Sequence, residues 1–197
     1  TYGYDQLDHL STAKSPQQMF GAVIKTFFAE KEKIDPKDIC SVSVMPCTAK
    51  KFECRRKEFH DSGFQDVDIS ITVVELAKMI RTAGIHFEDL EDQEFDAPFG
   101  LGSGAGQIFG STGGVMEAAL RTVYEVLTGE TLEKLEFMQV RGLEGIREAS
   151  LTIKGQEIRV AIVHGLKNVE DILEQIKAGT SPYHFIEVMA CEGGCIG

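Results

Sequence analysis

Residues 39–47 read ICSVSVMPC. Ile39, Ser41, Ser43 and Met45 alternate with Cys40, Val42 and Val44, the two-residue period of a strand, and Pro46 cannot donate to a ladder and so ends it. Cys47 therefore falls just past the C-terminal end of a strand, where α/β proteins carry their chemistry. The pattern recurs near the other end of the chain. HFIEVMA (184–190) reads as a strand running directly into Cys191, and CEGGC (191–195) places Cys195 one helical turn further on. Two glycines between thiols serve no packing purpose, whereas bare backbone lets two thiolates approach one metal centre.

Outward from these strands, helices and strands interleave. STAKSPQQMFGAVIKTFFAE (11–30) carries Phe20, Val23, Ile24 and Phe27 at helical spacing behind Ser15 and Pro16, a cap and first-turn pair, and predicts a helix over 16–31. VDISITVVELAKMIRTAG (67–84) predicts a strand to Ile71, then a helix opened by the Thr72–Glu75 capping box and closed by Gly84. EDLEDQEFDAPFGLGSGAGQ (88–107) is acidic, then glycine-rich, and lacks periodicity. It reads as the connection between a lobe of about 1–95 and a lobe of about 105–197.

The second lobe opens with a helix striped by Met116, Leu120, Val123 and Leu127 and stopped by Gly129. Strands follow at 136–140 and 149–153, the latter joined to 157–163 through Lys154-Gly155-Gln156, then an amphipathic helix over 167–179 and the strand that reaches Cys191. The expected fold class is α/β, with two lobes of small mixed sheets flanked by helices and a metal site in the cleft between them.

The 197 residues carry 31 acidic against 20 basic side chains, a net charge of -11, which disfavours sequence-independent binding to nucleic acid or anionic lipid. No apolar run approaches the ~20 residues of a membrane span, and the chain reads as soluble, in a reducing compartment: the cytoplasm, with the periplasm as alternative. Five cysteines are an odd set for a disulfide framework, leaving metal ligands or free thiols. Cys47, Cys191 and Cys195 suit iron or zinc. Cys40 is expected to be a strand-facing hydrophobe and Cys54 a surface thiol. GLGSGAG (100–106) fails the spacing of the dinucleotide fingerprint, the five histidines show no ligand pairing, and no Ser-His-Asp triad is apparent.

VMPCTAKKFE (44–53) and EVMACEGGC (187–195) resemble two of the three signature motifs of the catalytic domain of iron-only (di-iron) hydrogenases. STAKSPQQMFGAVIKTFFAE and IFGSTGGVMEAALRTVYE (108–125) are also similar to that family, so four blocks match in order. The resemblance implies reversible interconversion of hydrogen with protons and electrons. It also implies a 4Fe-4S cluster bridged by a cysteine to a di-iron unit bearing carbonyl, cyanide and a dithiolate. Cys47, Cys191 and Cys195 match three cluster ligands, Cys195 the bridging one, and Lys50 matches a lysine that donates to a cyanide. Met45, Met189 and Phe109 match side chains packed around the di-iron unit, Pro16 and Gln17 residues near its diatomic ligands, and Ser11 a serine of the proton path. Glu53 reads as a structural hydrogen-bond or charge partner. Implied partners are a redox protein such as ferredoxin, maturation proteins and further parts of the same catalytic domain.

The chain reads as cut at both ends. The family's first motif, with the fourth cluster cysteine and a proton-shuttling cysteine, is expected upstream of Thr1, and a glycine run beyond Gly197. A three-cysteine site holds an incomplete cluster, borrows Cys40 or Cys54, or stays empty, and the segment alone is expected to be inactive. Competing readings are a non-catalytic hydrogenase-like iron-sulfur scaffold, a hydrogen-sensing homologue, and an α/β domain with a structural zinc.

Overall fold

The computed structural model describes residues 4–132, 138–139 and 145–196. It divides into two compact units, one of Ser11–Gly100 and one of Thr1–Leu10 with Leu101–Gly197. Both combine helices with a small sheet, as the interleaved pattern predicts.

In the unit Ser11–Gly100, β1 (Val42–Met45) and β2 (Ile69–Thr72) pair in parallel, Val42 opposite Ile69 and Met45 opposite Thr72. Helix α1 (Pro16–Val23) passes through a π-helical segment, Ile24–Phe28, into α2 (Ala29–Glu32), and Lys33 ends it in the left-handed region (φ 56°). The extent agrees with the sequence pattern, but the buried face does not. Gln18, Gly21, Lys25 and Ala29 point inward, while Phe20, Val23 and Phe27 are 56%, 40% and 57% exposed. Two features turn the helix this way. A Cβ on Gly21 would collide with the Asp66 carbonyl, so only glycine allows this approach to the Asp66–Val67 backbone. The Lys25 ammonium is also satisfied inside, 2.8 Å from the Asp68 carboxylate and 3.4 Å from the Pro36 carbonyl. The outward aromatics meet Phe99, whose ring centroid lies 5.6 Å from that of Phe20 and 6.2 Å from that of Phe27.

Ser15 holds the N-cap position of α1, but its side chain makes no cap bond to the helix. By contrast, the capping box of α4 (Val73–Thr82) forms as read: the Thr72 hydroxyl accepts from the Glu75 N–H at 3.2 Å, and the Glu75 carboxylate from the Thr72 N–H at 2.8 Å.

In the second unit, α5 (Gly104–Ile108) and α6 (Gly114–Thr128) precede β3 (Met138–Gln139), β4 (Ile146–Ile153), β5 (Gln156–His164), α7 (Val169–Lys177) and β6 (Phe185–Met189). Of the strand expected over 136–140, all but Met138 and Gln139 lies outside the described residues. The sheet order is β3-β4-β5-β6, antiparallel up to β5, with β6 added in parallel across α7. The β4–β5 loop is two residues, Lys154 and Gly155, because Gln156 already pairs with Ile153. Met116 and Leu120 of α6 pack on Val160 and Ile162, while Ile172 of α7 packs on Ile146 and Val163. Neighbouring β5 residues thus face opposite helices, and each such buried side chain contributes about 1.5–3 kcal/mol. The stripe on α6 is buried only in its first half, since Val123 and Leu127 are exposed.

Candidate metal centre

Cys47 follows β1 and Pro46 and is half-buried at the start of α3 (Ala49–Glu53). Around it the unit assembles a polar network. Lys50 Nζ lies 2.6 Å from Glu53 Oε2, and the two side chains are only 18% and 19% exposed. The Ser15 hydroxyl donates to the other Glu53 oxygen. Gln17 Nε2 donates to the Lys50 carbonyl at 3.4 Å, and Gln17 Oε1 accepts from the Ser43 hydroxyl at 2.7 Å. Pro16, Gln17 and Met45 line one groove of about 390 Å³ between α1 and β1, together with Phe20 and Cys40. Three of the residues singled out in the sequence are thereby brought together. Ser11 is exposed and accepts from the Ala13 N–H at 3.2 Å.

The minor cysteines exchange the places expected for them. Cys40 is exposed, whereas Cys54 is buried (4%) and its thiol donates to the Lys51 carbonyl at 3.2 Å. The reason lies outside α3: Cys54 closes the helix against the loop that Gln65 ties down, Gln65 Nε2 donating to the Cys54 carbonyl at 2.7 Å.

In the other unit the Cys191–Cys195 turn folds back on the loop before α6. The Cys195 N–H donates to the Gly110 carbonyl at 2.7 Å and the Thr112 N–H to the Gly193 carbonyl at 3.1 Å. Gly194 is left-handed (φ 92°), and a Cβ there would lie 2.5 Å from the Gly110 oxygen. The turn therefore requires glycine twice over, for conformation and for space. Phe109, next to Gly110, and Met189, two residues before Cys191, are both half-buried. Cys191 is exposed and Cys195 half-buried, and both are free thiols.

One supporting residue went unread in the sequence. Glu187, 8% exposed on β6, accepts from the Gly113 N–H and the Met116 N–H, each at 2.7 Å, so its carboxylate caps α6 from a distant strand. The only local hint is an acid inside an apolar strand. His184, just before β6, is satisfied, its Nδ1 accepting from the Arg159 N–H at 3.1 Å.

The donors fit an iron-sulfur cluster: soft thiolates at strand ends, two of them on a glycine turn whose backbone is already tied down. Among the described residues no three His, Cys, Asp or Glu side chains gather around a single-ion position. Cluster cysteines bind different irons and need no such spacing.

These features describe an α/β protein whose free cysteines suit an iron-sulfur cluster. The family model described as iron only hydrogenase large subunit, C-terminal domain, matches residues 1–197. The chain belongs to this family. It is 53% identical over 193 residues to the NADP-reducing hydrogenase subunit HndD of Solidesulfovibrio fructosivorans, covering 98% of this chain and 33% of that protein. It is 50% identical over 196 residues to the periplasmic Fe hydrogenase large subunit of Nitratidesulfovibrio vulgaris, covering 100% and 47%. At 34% identity over 205 residues it also matches cytosolic iron-sulfur assembly component 3 of Pongo abelii, covering 100% and 42%. The fold matches the solved structure of an apo variant of the FeFe-hydrogenase HydA1 from Chlamydomonas reinhardtii, with TM-score 0.82, 39% identity, and coverage of 100% of this chain and 57% of that one. The chain thus spans a third to a half of the length of these curated relatives. Among the described residues no helix is long and apolar enough to cross a membrane.

Proposed function

We propose that the polypeptide containing this chain is a hydrogenase that reversibly oxidises molecular hydrogen to protons and electrons, with Cys47, Cys191 and Cys195 as ligands of one 4Fe-4S cluster. Cys195 would also hold a di-iron unit with carbonyl, cyanide and dithiolate ligands. When bound, that unit supplies the open iron position at which hydrogen is split heterolytically. The chain's own residues bind, orient and shield. Lys50 donates from its ammonium to an anionic diatomic ligand. Met45, Met189 and Phe109 exclude water with soft or aromatic surface, Pro16 and Gln17 border the diatomic ligands, and the Ser11 hydroxyl passes a proton along a path continued by other parts of the catalytic domain. Electrons leave to a ferredoxin-type partner, and maturation proteins install the di-iron unit. The compartment is the cytoplasm or, as in one relative's name, the periplasm.

The observation that carries this reading is the Cys191–Cys195 turn, with Gly194 seated where no side chain fits. Anaerobic reconstitution of the full-length protein tests it. Four irons and four sulfides per cluster site are expected, lost on Cys191→Ser or Cys195→Ser; unchanged iron content in both variants overturns it.

A second reading, a non-catalytic iron-sulfur scaffold, is favoured by the match to the assembly component. Infrared bands of metal-bound carbonyl and cyanide in matured protein support the hydrogenase. Their absence beside an intact cluster supports the scaffold.

A further inference from the structure

We propose that Glu53 and Ser15 are positioning residues that aim the Lys50 ammonium, an inference that rests on the hydrogenase reading above. Lysine is a poor choice for a fixed donor, because its four-carbon stem rotates freely unless something holds the head. Here Lys50 is held at both ends. Its ammonium lies 2.6 Å from Glu53, three residues on along α3 and so on the same helix face. Its carbonyl accepts from Gln17, whose own side chain is fixed by Ser43 of β1. The five-residue α3 is far too short to hold this geometry alone, so the grip must come from outside it.

Ser15 supplies that grip at a local cost. It stands in extended conformation at the N-cap of α1, where a serine hydroxyl ordinarily accepts from its own helix. No such bond is made. The hydroxyl instead donates to Glu53, so one carboxylate oxygen is committed to Ser15 and the other to Lys50. The neighbouring Lys51 goes elsewhere: its ammonium pairs with Glu75 of the α4 capping box. Two adjacent cations are thus sorted to separate acids, and Lys50 reaches the proposed centre as half of a neutral, largely shielded pair, not as a free charge.

Infrared spectroscopy of the matured full-length protein tests the assignment. Lys50→Gln, Glu53→Gln and Ser15→Ala are all expected to shift the cyanide stretching bands in the same direction, with the optical spectrum of the 4Fe-4S cluster unchanged and with partial return in Glu53→Asp. A purely structural role for Glu53 would lower the yield of loaded protein without moving the bands. Cyanide bands at the wild-type positions in both Ser15→Ala and Glu53→Gln overturn the inference. Should Glu53→Gln fail to fold, Ser15→Ala and Glu53→Asp carry the same comparison. Absence of carbonyl and cyanide bands from the wild-type protein would instead sink the hydrogenase reading itself.

Discussion

Gly194 fixes the cysteine turn more firmly than either cysteine's neighbours suggest. Gly194→Ala forces a side chain onto a left-handed backbone and against the Gly110 carbonyl, for which about 1–3 kcal/mol of strain is expected before any clash is counted. A lower denaturation midpoint together with reduced iron uptake would show it; an unchanged midpoint would mean that the Gly110 loop yields. Glu75 offers a test in pH. Its carboxyl is pushed down from 4.5 to about 2, first by the Lys51 ammonium and then by the Thr72 N–H and hydroxyl. Because the folded pKa is depressed, this contribution is complete above pH 4.5 and is lost as pH falls through about 2. The difference in melting temperature between wild type and Glu75→Gln should therefore shrink as the pH is lowered through that window. Lys14 shows the opposite balance. Burial alone would lower its pKa, but Asp66 and Asp61 outweigh burial and raise it.

At the scale of elements, the sequence was read best where partners are close along the chain. Thr72 and Glu75 are three residues apart, and their reciprocal bonds form as predicted. On α1, periodicity reports which residues share a side, not which side a neighbouring layer takes. The Gly21 approach to Asp66 and the Lys25–Asp68 pair turned the polar side inward. Cys40 and Cys54 were exchanged for a similar reason, since the burial of Cys54 depends on Gln65, eleven residues away. The glycine turn between Cys191 and Cys195 was legible from their spacing, but the Glu187 cap was not, because Gly113 lies 74 residues from it. Glu187→Ala should leave two buried N–H groups at the N-terminal end of α6 unsatisfied, at a cost of about 1–3 kcal/mol each. Hydrogen exchange at Gly113 and Met116 should rise, and Glu187→Gln should recover part of the protection. Uniform exchange in wild type and Glu187→Ala would remove the cap from the account.

For the whole molecule, the chain spans a third to a half of the length of its curated relatives, and the catalytic role proposed above concerns the whole protein. Expressed by itself, the 197-residue chain is expected to give no hydrogen evolution above background with a reduced viologen donor, whereas the full-length protein is expected to turn over. Turnover by the short chain at rates near those of the full-length protein would mean that the three cysteines and their surroundings suffice.

The π-helical turn at Ile24–Phe28 has a consequence for how this region tolerates change in length. Each residue of an α-helix advances it by about 100°, so loss of Ile24 would restore ordinary winding yet unscrew Gln17 from Ser43 while Lys25 stayed clamped to Asp68. Point substitutions on the outer side of this helix should be forgiven far more readily than a single-residue deletion there.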